Sequence, residues 1–398
     1  MNLILFDDPS IRQDLSPFSL TRPVSEIRVG ILTITEKWEK HLNTRASFHT
    51  VDYLAKKFPV KSTEDNLLVN GAICPDATLI KAIGSLNKEE ALSKNGLLIA
   101  AQTKSTSFDN VKVIEYKNEI TLIDQVWKIF NQNGVQIKTD FDLITHGRKS
   151  ETISDPHTIC YGEIGKEIFI EEGADIKAAV LNAENGPIYI GKNAQVQEGA
   201  LIRGPFALCE GSTVNMGAKI RGDSTVGPYS KVGGEISNSI IFGYSNKGHD
   251  GFLGNSVIGE WCNLGADTNT SNLKNNYENV KIWNYKKGGF KDTGLQFCGL
   301  IMGDHSKCGI NTMFNTGTVV GVGCNIFGDG FPRTFIPSFA WGGAAGFTTF
   351  ELSKMLDTAE KVFGRRGKKL SDLDSDILKN LFESTAPNRV WEKKAVKE

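Results

Sequence analysis

The sequence contains no run of 18 or more apolar residues, no Cys-x-x-Cys pair and almost no net charge. The first absence argues against a membrane-spanning helix. Seven cysteines, an odd number scattered without paired spacing, argue against a zinc ribbon or a disulfide framework. They suit free, mostly buried thiols in a reducing cytoplasm. A formal charge of −1, from 45 basic and 46 acidic residues, supplies no field to recruit nucleic acid or an anionic membrane. Residues 1–8 lack a basic segment, and their apolar run is too short for a signal peptide. The expectation is a cytoplasmic protein with neither membrane nor nucleic-acid partners.

What the sequence does contain is a period. Ile190, Val196, Ile202, Leu208, Val214, Ile220, Val226 and Val232 stand at six-residue intervals. Four positions after most of them comes a small residue: Ala194, Ala200, Ser212, Ala218, Ser224 and Ser230, with Phe206 and Ile236 as exceptions. Neither a helix nor a single strand repeats every six residues. A hexapeptide repeat does, each six residues forming one flat side of a parallel β-helix with one aliphatic side chain in its axis. The small residue falls where the chain turns a corner with little room.

At 398 residues the chain has room for two or three domains. Residues 1–150 are predicted to be an α/β domain with a mainly parallel sheet. Its expected strands are Leu3–Phe6, Leu67–Val69, Leu97–Ala100 and Val111–Tyr116; its expected helices are Thr35–Leu42, Asp76–Asn87 and Leu122–Asn131. Residues 146–162 are polar, contain Pro156 and are expected to be a linker. The β-helix domain, 151–346, has its coils over about 164–330. Its phase breaks twice: Phe252, Ile258 and Leu264 restart the spacing, and Met302, Cys308, Phe314, Val320 and Ile326 restart it again. Segments 238–251 and 270–301 therefore cannot all lie in regular coils and are expected to loop out or bulge, and inserted loops are where function usually sits on a regular scaffold. A tail, 347–398, shows an apolar helical stripe (Leu352, Met355, Leu356, Ala359, Val362, Phe363) suited to capping an open coil end.

The first break contains His249, the only histidine there, with Gly248 and Gly251 beside it. Glycines permit close backbone approach to a ligand, and a neutral imidazole accepts protons near pH 7. A lone loop histidine is by itself most often structural. The surrounding segments, 234–242 and 246–272, resemble one family closely. They are similar to the acetyltransferase half of the bifunctional glucosamine-1-phosphate acetyltransferase / N-acetylglucosamine-1-phosphate uridylyltransferase family. They resemble still more the related archaeal sugar-1-phosphate nucleotidylyltransferases that carry the same C-terminal domain. The whole chain resembles a divergent branch found in Bacteroidetes-type bacteria.

That resemblance implies a left-handed β-helix, a homotrimer, and acetyl-CoA bound between neighbouring subunits. It implies His249 as the general base toward a sugar amine, with no metal and no covalent acyl-enzyme. Asn263 and Glu235 correspond to substrate-site positions, and Ala266 and Asn272 to the acetyl-CoA site. Two positions depart from the pattern. Phe252 replaces a tyrosine, and Ser237 replaces a lysine that faces the sugar phosphate; Lys247 is the candidate substitute. His305, in Gly303–Gly309, is one potential metal ligand where three are needed.

Leu15–Pro23 resembles the Arg-Leu-x-Pro-Leu-Thr signature of sugar nucleotidyltransferases, and the expected fold of 1–150 is that Rossmann-like α/β fold. The signature arginine is Asp14 here, the lysine is Val24, and the glycine turn is replaced by Phe6–Arg12. The segment Val69–Ala72 lacks the aspartate that holds Mg²⁺ in the family. Arg12, Arg22 and Arg28 are the candidate phosphate ligands for a nucleoside triphosphate, with Mg²⁺ required only if this domain is active. Three functional readings follow: an acetyltransferase acting on an amino-sugar phosphate, an acyltransferase for another acceptor, or a non-catalytic sugar-nucleotide scaffold.

Overall fold

The computed structural model describes residues 2–392. Its chain divides into two compact units. One comprises the segments up to Ile27, Leu32–Gln125 and Asp372–Ile377; the other comprises Arg28–Ile31, Val126–Ser371 and the chain from Leu378 onward. This differs from the three segments expected. The helix Val126–Thr145 belongs with the β-helix, as does the helix Leu352–Gly364. Residues 393–398 of the expected tail lie outside the described residues.

The first unit is an α/β structure around a six-stranded sheet. The strand order is Ala46–His49, Asn2–Phe6, Asn66–Asn70, Leu97–Thr103, Glu90–Lys94, Lys112–Glu115. Leu3, Ile4, Leu5, Leu67, Leu68 and Val69 are buried, as central strands require. The helix Ile34–Leu42 starts with a capping box, Thr33 accepting from the Glu36 N–H while the Glu36 carboxylate accepts from the Thr33 N–H. The sheet is parallel in three of its five pairings, as expected, but one strand, Leu97–Thr103, runs antiparallel to both of its neighbours. Its pairing with Glu90–Lys94 is a hairpin closed by the two-residue turn Asn95-Gly96, both with positive φ (50° and 80°).

The second unit is a three-sided parallel β-helix. Its first face stacks nine strands, from Ile168–Ile170 to Phe335–Ile336. The second stacks strands from Asp175–Ile176 to Ala340–Gly343, and the third begins at Ile159–Tyr161, inside the expected linker. Successive rungs are in register every 18 residues, Ile190 opposite Leu208 and Leu208 opposite Val226. The eight periodic aliphatics visit the three faces in turn, and all lie in one buried axial core. The helix Val126–Thr145 packs its buried side, including Ile129, Phe130 and Ile137, against the first face.

One corner explains the small residues. The third residue after each first-face aliphatic is left-handed: Asn193, Gly211, Tyr229, Tyr244, Trp261, His305, Gly323 and Phe339. The residue that follows is small and buried, for example Ser212, Ser230, Ser245, Cys262, Ser306 and Cys324. These side chains also tie rungs together. Ser212 Oγ donates to the Gly227 carbonyl at 2.7 Å, Ser245 Oγ to Gly259 at 2.8 Å and Ser306 Oγ to Gly321 at 2.7 Å.

The first phase break is not a loop. Segment 238–251 stays in the ladders, with Ile240–Ile241 opposite Thr225–Val226 and Asn246–Lys247 opposite Lys231–Val232, an offset of 15. The next rung is 17 residues on, and Leu253 rather than Phe252 fills the axis. Shortened coils bring backbones close. A Cβ on Gly233 would stand 2.4 Å from the Gly248 carbonyl oxygen, and one on Gly251 2.2 Å from that of Thr268. The second break does leave the coil, as a hairpin of Lys281–Asn284 and Gly289–Asp292.

The open end is not capped by the helix Leu352–Gly364. A hairpin, Ala340–Gly343 with Gly346–Thr349, follows the last rung, and Trp391 packs against the axial core. The helix instead lies along the flank, Phe363 stacking on Trp261 at 3.8 Å. All seven cysteines are free, six of them buried. No helix among the described residues is long and apolar enough to cross a membrane.

Candidate active site

His249 is exposed in the turn that leaves the second face after Asn246–Lys247. The turn is held by side chains from several rungs. Asn215 Nδ2 donates to the Gly248 carbonyl at 2.7 Å. Lys247 Nζ donates to the carbonyls of His249 at 2.5 Å and Asp250 at 2.7 Å. Asn269 Oδ1 accepts from the Phe252 N–H at 2.8 Å. Gly251, at φ 108° and against Thr268, serves close packing between coils, whereas the sequence suggested a ligand.

His249 lines a groove of about 800 Å³. Its floor is a ladder of outward residues in register across four rungs, Lys231, Asn246, Asn263 and Lys307. With rungs about 4.8 Å apart, the two lysines frame roughly 14 Å of groove. Val362, Arg365 and Arg366, from the end of the flanking helix, form a second wall. Arg366 Nη2 donates to Asn246 Oδ1 at 3.1 Å, and Asn246 Nδ2 to Asn263 Oδ1 at 3.4 Å. Burial, then the charge of Arg365, pushes the Arg366 guanidinium below its ordinary value. Lys307 donates to the His305 carbonyl at 2.9 Å, and burial pushes its ammonium pKa down. No aspartate or glutamate appears among the described lining residues. Four cations without a lining carboxylate give the groove a positive field, which favours an anion.

Of the residues singled out in the sequence, His249, Asn263 and Ala266 meet in this groove. Lys247 does not face it: the side chain is fully buried beneath the turn, so a direct substrate contact is replaced by a bond to backbone. Glu235 lies on the third face, paired with Arg221 at 2.9 Å and in register with Phe252. Asn272 donates to Asn255 Oδ1 at 2.8 Å where the hairpin insertion leaves the coil. Neither lines the groove of its own chain. His305 occupies the left-handed corner and stacks near Phe363 at 6.1 Å. Among the described residues, no three His, Cys, Asp or Glu side chains gather as a metal site. Lys231, Lys307, Arg365 and Arg366 went unrecognised in the sequence; the register of the two lysines with Asn263 was the available signal.

In the first unit, Arg12 is buried and committed to protein. It pairs with Asp7 at 2.7 Å and donates to the carbonyls of Arg22 and Ser19 and to Tyr53 Oη. Asp8 caps the helix Pro9–Asp14, accepting from the N–H groups of Ser10 and Ile11, and Asp7 accepts from Val24 N–H at 2.8 Å. The donors that a glycine turn would offer to phosphates are satisfied here by carboxylates. Arg22 is buried. Arg28, in the second unit, donates to the Ile31 carbonyl. Within Val69–Ala72, Asn70 uses both ends of its amide on backbone, donating to the Leu98 carbonyl and accepting from the Ala72 N–H. These residues do not fit Mg²⁺.

Residues 3–149 match the family model for sugar nucleotidyl transferases. A β-helix follows that domain in the chain, and the chain is similar over part of its length to proteins named GlmU. It is 35 % identical over 121 residues to the bifunctional protein GlmU of Methanocaldococcus jannaschii, covering 30 % of this chain and 27 % of that one. It is 27 % identical over 217 residues to GlmU of Methanococcus aeolicus, covering 52 % and 48 %. It is 28 % identical over 219 residues to the bifunctional sugar-1-phosphate nucleotidylyltransferase/acetyltransferase of Sulfurisphaera tokodaii, covering 54 % and 47 %. The chain thus spans about half or less of the length of these relatives.

Proposed function

We propose that the β-helix unit transfers an acetyl group from acetyl-CoA to the amine of a phosphorylated amino sugar, of the glucosamine-1-phosphate type, in a cytoplasmic setting. The observation that carries this is the placement of His249, on a tightly held turn, at a cationic groove shared with Asn263 and Ala266. The amine nitrogen attacks the thioester carbonyl as His249 takes its proton. The new N–C bond forms, the C–S bond breaks, and the imidazolium returns a proton to the departing thiolate. Lys231, Lys307, Arg365 and Arg366 hold the phosphates of donor and acceptor, and Asn263 orients the sugar. In a homotrimer, Glu235 and Asn272 of a neighbouring copy serve that copy's side of the shared site. The GlmU relatives and the nucleotidyl transferase domain support this setting.

The test is release of free CoA thiol with a panel of amino sugars, phosphorylated and not. Turnover confined to phosphorylated amino sugars supports the proposal. Turnover only with another acceptor, such as an amino acid or a nucleotide-linked sugar, selects the broader acyltransferase reading. No binding of acetyl-CoA selects the scaffold.

For the first unit, the self-capped turn and Asn70 favour a nucleotidyltransferase fold without transfer activity. Pyrophosphate release from a nucleoside triphosphate and a sugar-1-phosphate would overturn this.

A further inference from the structure

On every second-face rung from Ile176 to Ile326 the axial residue is apolar, except one. Val196, Val214 and Val232 precede Lys247 in the ladder, and Leu264 and Cys308 follow it. Lys247 stands six residues after Ile241 and six before Leu253, both axial, so the period itself turns its side chain inward. It is 0 % exposed. An ammonium in an aliphatic axis is costly unless its donors are met. Two of them are met by consecutive carbonyls, His249 at 2.5 Å and Asp250 at 2.7 Å. The Gly248 carbonyl just before them is held by Asn215 at 2.7 Å. Three carbonyls in a row are thereby fixed by side chains where the coil is too short for a regular corner.

We infer that Lys247 is a positioning residue, an internal strut that fixes the peptide carrying His249 and so aims its imidazole into the groove; this rests on His249 being the base. A valine or leucine would fill the axis as its neighbours do but leave both carbonyls without this donor. The cost of the strut is visible. Burial lowers the Lys247 pKa to about 8, opposed by the nearby Asp250, Cys308 and Asp267. A residue retained only for packing would not carry that charge.

The experiment compares full-length wild type, Lys247→Met and His249→Ala in two measurements: acetyl transfer to glucosamine-1-phosphate, and amide hydrogen exchange resolved over residues 246–254. Lys247→Met is expected to keep the KM for acetyl-CoA within about twofold. Its kcat is expected to fall by on the order of tenfold to a hundredfold, with faster exchange confined to the turn. If Lys247→Met does not fold, Lys247→Gln carries the same two readings, because it keeps one amide donor on a shorter stem. Unchanged exchange across the turn in a folded variant overturns the strut. Accelerated exchange with unchanged kcat overturns its role in aiming His249. Full activity in His249→Ala overturns the base assignment instead, and exchange in the Lys247 variant then still decides whether the strut exists.

Discussion

Arg366 and Asn246 meet across the groove, the guanidinium donating to the amide oxygen at 3.1 Å. They are 120 residues apart in sequence and lie in different places in the fold, the turn just after the flanking helix and a β-helix rung. The bond joins the helix to the ladder that carries Asn263, one rung on. The wall of the candidate site is therefore built by docking of the tail.

Replacing Arg366 by alanine removes a cation and a support for Asn246. A charge-assisted contact to a phosphate is worth about 1.5–3 kcal/mol, so the KM of the phosphorylated substrate is expected to rise roughly tenfold or more. The defect should narrow at high salt, where exposed charges are screened. Steady-state kinetics at two ionic strengths check it; an unchanged KM at both removes Arg366 from the phosphate site.

Gly251→Ala tests the turn. At φ 108°, with its Cβ 2.2 Å from a backbone oxygen, alanine forces the coil to shift. The strained conformation alone costs about 1–3 kcal/mol, so a lower melting temperature and loss of turnover are expected together. Gly288→Ala has open space around its Cβ but a left-handed φ of 61°, so it loses stability while keeping activity.

The axial ladder sets stability. Ile202→Ala, at 1 % exposed, is expected to cost about 2–5 kcal/mol. Exposed Lys219→Ala, on the adjacent rung, should stay within about 0.5 kcal/mol. Denaturant unfolding distinguishes the two; equal effects would contradict the axial core.

Lys247 also predicts a pH dependence with a definite sign. Its pKa is lowered from 10.5 to about 8 in the folded chain, so between those values the unfolded chain binds more protons. Stability then rises with pH through that window, as the cost of burying the charge is relieved. Lys307 contributes in the same direction. The informative quantity is the difference between wild type and Lys247→Met, which should change between pH 8 and pH 10 and stay flat below pH 7. A constant difference throughout contradicts the buried ammonium.

The β-helix was legible because its core has one dimension: an aliphatic every sixth residue leaves few alternatives. At the first phase break the sequence showed an irregular coil but not its form, because a shift of phase can arise by shortening a coil as well as by looping out or bulging. Gly233-Gly234 marks the shortening, since only glycines tolerate that approach. The same count, Ile241, Lys247, Leu253, would have put Lys247 inside the axis, but its charge led the sequence reading to give it a substrate-facing role. Asn95-Gly96 was a local hairpin signal for the one antiparallel strand, which the sequence reading did not anticipate. Arg365 and Arg366 were not legible, because their position depends on Phe363 stacking on Trp261, a tertiary contact that no spacing encodes.

The most direct test of the central claim is single-turnover transfer of labelled acetyl from acetyl-CoA to glucosamine-1-phosphate by wild type and His249→Ala. Losing the general base is expected to slow the chemical step by about a hundredfold or more, with acetyl-CoA still bound. Equal rates in the two proteins would contradict the account.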